Sequence, residues 1–237
     1  MIASALAFAA ATAAPKQFDM SAEDSRLVVR DFARCEVKIA KKPSIELVEA
    51  NPSQWPGTKL PVVAPQCLPQ RTDLTLSDLF WGTGGFALRG RMTHFRYALA
   101  EALLHQTYRK APPVILASAA ALDHSPIPAG SPKPAAWNSG DDDWQKAVAQ
   151  SQVDAQASAF GECVVRGSPA EAWALLNTDV ASPAEMSAFK ALTPALAGCM
   201  TKVGMMPKGK FNVRGTIALN YYRLAQASVV SGKGPVK

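Results

Sequence analysis

Apolar positions recur at helical spacing along most of the chain. Leu27, Val28, Phe32, Cys35 and Ile39 share one face of a predicted helix opening at residue 21, and Arg30, Asp31, Arg34 and Lys38 take the other. Ser21 is a natural N-cap, with Asp24 three residues on. A short helix is predicted over 44–50, stopped by Asn51-Pro52. Residues 75–81 read as one or two helical turns, broken by Gly82-Thr83-Gly84-Gly85, and a long helix is predicted over 88–109. Further on, Asp141, Asp142 and Asp143 sit at the positive end of a helix expected to reach about residue 165. Ser168-Pro169-Ala170-Glu171 and Ser182-Pro183-Ala184-Glu185 each combine an N-cap, a proline at N1 and a glutamate at N3. They predict helices over 169–177 and 183–198. Pro194 is expected to kink or split the second, with Thr193 capping its C-terminal part. A closing helix is predicted over 213–227. The expected fold class is all-α.

The chain also says nearly the same thing twice. Phe86, Arg89, Gly90, Tyr97, Leu99, Ala100 and Ala102 recur in order as Phe211, Arg214, Gly215, Tyr222, Leu224, Ala225 and Ala227. A cysteine pair precedes each copy: Cys35 and Cys67, then Cys163 and Cys199. Phe32 and Phe160 each stand three residues before the first cysteine of their pair. The pattern predicts two related helical units, 21–110 and 141–228, from an internal duplication. The spacing between copies is too long for a solenoid repeat. Residues 111–140 carry Pro112, Pro113, Pro126, Pro128, Pro132 and Pro134 and read as a Pro-rich linker. Residues 229–237 read as a disordered tail.

Small units have thin cores and usually need staples. Residues 1–14 carry no charge, and Ala11-Thr12-Ala13 has the small-x-small form of a cleavage site, so this segment reads as a signal peptide. An uncleaved anchor and a plain apolar helix are the alternatives. Export predicts oxidised cysteines. Four cysteines allow three pairings, and the duplication selects Cys35–Cys67 and Cys163–Cys199. A zinc site would use closer Cys-x2-Cys pairs than these. The expected localisation is periplasmic or secreted, with no membrane span in the mature chain.

Formal charge is +6 over 237 residues. It is spread as +5 over 29–110, −3 over 111–156 and +3 over 157–227. No single run is basic enough for a nucleic-acid arm. The mild positive balance suits an anionic envelope polymer or lipid head groups, with plain solubility as the competing and commoner reading, and the expected partner is an envelope protein or an anionic polymer.

Catalytic signatures such as Gly-x-Ser-x-Gly or His-Glu-x-x-His are missing from the sequence. Arg89 and Arg214, each before a glycine at the head of a closing helix, are the first candidates for binding an anion. The competing reading pairs them with a carboxylate of their own unit, such as Asp31 or Glu162, while Gly90 and Gly215 allow close helix contact. Phe80 and Trp81 form an aromatic loop that the second copy lacks, and they are the second binding candidates. Tyr97 and Tyr222 read as core residues with a polar tip. His94 and His105 are about 16 Å apart by helical rise, too far to share one ion. Glu101 and His105 stand at i,i+4, an acid/base or ligand spacing, but their counterparts are Gln226 and Val230, which favours a surface pair. The aspartate triplet lacks the spacing of a calcium loop. Neither a cofactor nor a metal is expected.

The order of cysteine helix, second cysteine and closing Arg-Gly helix rich in Tyr, Leu and Ala resembles exported bacterial proteins known only as uncharacterised. The resemblance covers 21–110 and 141–228 and implies no activity. The expected function is therefore a non-enzymatic binding or scaffold module of the cell envelope. The alternative is an envelope enzyme with its site in the cleft between the units.

Overall fold

The computed structural model describes residues 21–51, 53, 65–67, 92–109, 119–135, 137 and 140–231. Seven α-helices and one short 3-10 turn make up its regular structure, with no strand among the described residues. They are α1 (Ala22–Ile39), α2 (Lys41–Glu49), the turn Pro65–Cys67, α3 (Met92–Thr107), α4 (Asp141–Gly167), α5 (Pro169–Leu176), α6 (Pro183–Val203) and α7 (Gly209–Ser231). The fold is all-α, as the periodicity predicts. The expected turns over 75–81 and the Gly82–Gly85 break lie outside the described residues.

The N-terminal ends of α1 and α6 follow their capping signals. The Ser21 hydroxyl accepts from the Asp24 N–H at 3.0 Å, and the Ser182 hydroxyl accepts from the Glu185 N–H at 3.1 Å. Helix α6 ends on Gly204 in the left-handed region, which glycine enters without penalty. Four expectations fail. Ser168 makes no side-chain cap, because it sits at the α4–α5 corner with its own N–H on the Val164 carbonyl. Of the kink or split expected at Pro194, the split does not occur, and α6 runs unbroken from Pro183 to Val203. Pro194 lies on the solvent face, where the carbonyl it frees at Lys190 meets water. Thr193 consequently bonds back to Phe189 inside a continuous helix. The tail expectation also begins too early, since α7 runs on to Ser231.

One core spans both halves. Leu99, Leu103 and Leu104 of α3, Phe160 and Val164 of α4, Leu175 and Leu176 of α5, Leu192 of α6 and Ile217, Leu219 and Leu224 of α7 belong to a single buried cluster. Helix α3 packs on α1, α2 and α7; α7 packs on α3 and α4. The helix with the first cysteine of each pair thus lies against a closing helix, α1 on α3 and α4 on α7. Disulfides tie Cys35 of α1 to Cys67 of the 3-10 turn and Cys163 of α4 to Cys199 of α6. Ile39, expected on the apolar face of α1, is 49% exposed, because α1 ends there and the chain turns into α2.

Residues 119–135 hold no helix yet are pinned to α4. Ile127 donates its N–H to the Ser151 hydroxyl and accepts from Gln152. The Trp144 indole donates to the Ser131 carbonyl. Ile127, Trp144 and Val148 form a satellite core with Trp137 against it.

Candidate functional site

Arg214 lies one turn into α7 and is 3% exposed. Helix α7 presents it to α3, where Glu101 receives a forked pair of bonds: Nε to Oε2 at 3.0 Å and Nη2 to Oε1 at 2.7 Å. Nη1 donates to Glu185 Oε1 at 3.0 Å and to the Thr178 hydroxyl at 3.0 Å. Nη2 also reaches the carbonyls of Leu176 and Thr178 in the α5–α6 loop. All five N–H groups of the guanidinium therefore have protein acceptors. The carboxylates are Glu101 and Glu185, not Asp31 or Glu162. Asp31 is taken by its neighbour Arg30, and Glu162 by His124 and Arg166. Neither real partner is close to Arg214 in sequence, so only helix packing brings them together.

Glu185 has a second cation. Arg26 of α1 places Nη1 3.1 Å from Oε2 and Nη2 on Oε1. The Ala181 N–H adds a bond at 3.1 Å, from a backbone in the left-handed region at φ 64°. Burial pushes the Glu185 carboxyl up, but the Arg26 hydrogen bond and the charges of Arg26 and Arg214 outweigh it, and the net direction is down. For Arg214, burial pulls the pKa down, while the charge and hydrogen bonds of Glu101, then of Glu185, raise it overall.

This network floors a cleft between α1, α3 and α7. Arg26, Arg30 and Arg34 line it from α1 at spacing i, i+4, i+8, one face of the helix. Glu101 and His105 line it from α3, and Phe211 and Gly215 from α7. The cleft holds ≈ 430 Å³ of empty space, including its part open to solvent. Arg30 pairs with the exposed Asp31. Arg34 is exposed and makes no hydrogen bond or ion pair among the described residues. The two arginines assigned to a plain solvent face of α1 thus border a concavity.

Glu101 and His105 are half-buried members of the cleft wall rather than a surface pair. His105 Nε2 stands 4.0 Å from Glu101 Oε1 and donates instead to the Leu176 carbonyl at 3.0 Å. Burial depresses the His105 pKa, Glu101 and the Leu176 bond oppose this, and the positive charges of Arg34 and Arg214 add to the depression. Arg89, Gly90, Phe80 and Trp81 lie outside the described residues. Tyr97 and Tyr222 are both buried. Among the described residues no group of three or more His, Cys, Asp or Glu has the arrangement of a metal site. No described helix is long and apolar enough to cross a membrane.

Sequence reasoning did not find Arg26, Arg34, Glu185 or the Thr178 loop. The i, i+4, i+8 arginine stripe on α1 was the available signal for the first two. No protein-family model, curated protein or solved structure matches the chain.

Proposed function

We propose that this protein is an exported, non-enzymatic binding or scaffold module of the cell envelope, built from two copies of one helical unit. The observation that carries the reading is that both carboxylates of the cleft floor are already paired with arginines. A general acid or base needs a carboxylate or imidazole within reach of a substrate proton. Here Glu101 is held by a forked arginine and Glu185 by two arginines, while His105 donates Nε2–H to a backbone carbonyl and keeps Nδ1 as its one basic nitrogen. Such a floor is rigid and already neutralised, which suits holding a partner more than transforming one.

Two disulfides support residence in an oxidising compartment, periplasmic or secreted. The matching contacts of α1 with α3 and α4 with α7 support the duplication. The arginines at the cleft mouth favour an anionic partner in that compartment, an envelope protein or a polymer.

Chemical crosslinking in intact cells, with purification of the full chain afterwards, tests this. Arg30→Gln/Arg34→Gln is expected to keep the wild-type Tm and lose the crosslinked partner. Arg214→Gln is expected to lower the Tm as well. Substrate turnover that disappears in Glu101→Gln or His105→Gln while the fold persists would overturn the reading in favour of an enzyme.

A further inference from the structure

The cleft holds more unspent donors than acceptors. Its two carboxylates, Glu101 and Glu185, are neutralised by Arg214 and Arg26. On the donor side, Arg34 has no partner among the described residues and Arg30 has only an exposed aspartate. Deeper in, Arg26 is 10% exposed in its side chain, and its Nε–H is buried without an acceptor. A buried donor without an acceptor costs free energy and calls for an explanation. The three arginines stand on successive turns of one face of α1, and all three line the cleft.

The other half has the same position filled differently. Counting from Phe-x-x-Cys, Arg34 corresponds to Glu162. Glu162 is satisfied internally: it accepts from the Leu122 N–H at 3.2 Å, from His124 at 2.5 Å and from Arg166 at 2.7 Å. There the chain's own segment 120–124 closes over α4. At Arg34 the charge is reversed, and no described segment closes over it.

We propose that the cleft binds an oxyanion head group, a phosphate or a carboxylate, with Arg34 and Arg30 as its principal donors and the buried Arg26 charge beside them. This rests on the binding-module reading and names the chemistry of its ligand. The paired Arg214, Glu101 and Glu185 do not touch the anion; they position Arg26. Arginine forks match planar and tetrahedral oxyanions, which a lysine stripe would attract without orienting. The wall opposite α1 includes Tyr97 and Phe211. These reduce competition from water and leave the anion's charge to the arginines. The cleft is open to solvent and takes the head group from that side. The remainder of the ligand, a free small molecule or a polymer chain, lies outside.

Isothermal titration of the full, disulfide-intact chain at low ionic strength tests the site. The probes are inorganic phosphate, acetate and a long-chain polyphosphate. Wild type is expected to bind phosphate or acetate saturably at one site. Arg34→Gln is expected to weaken binding by about 10-fold, the effect of one lost charge-assisted bond. The remote exposed Lys190→Gln is expected to leave it unchanged, and neither variant should shift the Tm. One protein per phosphate with no gain from chain length supports a free small anion as source. Several proteins per polyphosphate chain with tighter binding supports a polymer; both support the site. Equal weakening by Lys190→Gln and Arg34→Gln, or no saturable binding of either simple anion, overturns it. If the anions fail while Arg30→Gln/Arg34→Gln still loses its crosslinked partner, the head-group chemistry is wrong and the binding-module reading survives.

Discussion

A methyl group on Gly215 would stand 2.6 Å from the Cβ of Tyr97 and 2.5 Å from its ring carbon Cγ. Tyr97 of α3 packs directly on the α7 backbone at Gly215, the residue after Arg214. The missing Cβ sets how closely α3 and α7 approach, and so whether Arg214 can fork onto Glu101.

Gly215→Ala is therefore expected to destabilise by about 1–3 kcal/mol, since the ring and both backbones must give way. Gly161 repeats the device between α4 and α7, where an added methyl would meet the Thr216 carbonyl carbon and Asn220 Nδ2 at 2.7 Å. Gly161→Ala should cost a similar amount. Gly198 on α6 has open space at its Cβ position, so Gly198→Ala should stabilise by about 0.5–1 kcal/mol through helix propensity alone. Urea denaturation of the three variants checks this. Equal effects at 161, 198 and 215 would sink the close-approach account.

Arg214→Met would leave Glu101 and Glu185 buried against an apolar chain. Arg26 still compensates Glu185, but Glu101 keeps only a distant imidazole. The expected loss is about 3–5 kcal/mol, the usual cost of removing one partner from a buried ion pair. Arg214→Lys should recover only part of it, because one ammonium cannot reach two carboxylates, two carbonyls and a hydroxyl together. Combining Arg214→Met with Glu101→Gln should cost less than the sum, which a double-mutant cycle measures.

Much of the helix map was legible because its signals are local. Ser21 and Ser182 cap through atoms three residues away, and the α4 and α6 starts needed nothing from the tertiary fold. The cysteine pairing was legible because the same Phe-x-x-Cys pattern, Phe32 to Cys35 and Phe160 to Cys163, opens each pair in the sequence. The charge network was not. Arg214 finds Glu101 across 113 residues, and Arg26 finds Glu185 across 159. Nothing in spacing ranks Glu185 above Glu162 as a partner, and α3 must first seat Tyr97 on Gly215 to decide it. Pro194 misled for a related reason. A proline's damage depends on which face it occupies, and that is known only after packing.

The pH profile of stability should fall in two acid steps. Burial and the neighbouring arginines hold the His105 pKa below its ordinary 6.5. The unfolded chain then takes up the proton first, so this contribution is complete above about pH 6.5 and is lost as pH falls below it. Glu162 and Glu185 are each pushed up by burial but pulled further down by their hydrogen bonds and cations, to below the ordinary 4.5. Their contribution is complete above that value and is lost as pH falls through the folded-state pKa. At the alkaline end, burial pushes Tyr221 and Tyr222 up to about 12 from an ordinary 10.0. Their contribution holds below pH 10 and is lost between there and about 12. Thermal unfolding from pH 3 to 11 should show a plateau between these limits. His105→Gln should remove the upper acid step and leave the lower one in place. An upper step unchanged in that variant would show that another group sets it.

Both disulfides close loops of similar length, with sequence separations of 32 and 36 residues. Each should contribute about 3–4 kcal/mol, largely by restricting the unfolded chain. That origin makes a distinctive forecast. Replacing Cys163 and Cys199 together with serine should leave the native far-UV spectrum unchanged, because α4 and α6 also pack directly on each other. The urea m-value should rise, since the freed chain exposes more surface on unfolding. Replacing Cys35 and Cys67 should act the same way on m but loosen more of the native state. The Pro65–Cys67 turn meets α1 through a small apolar cluster of Phe32, Cys35 and Cys67, with Phe95 at 5.2 Å from the Phe32 ring. Peptide mapping without reductant should recover Cys35 linked to Cys67 and Cys163 linked to Cys199. A bridge from either of the first two cysteines to either of the last two would contradict both the fold and the proposed duplication.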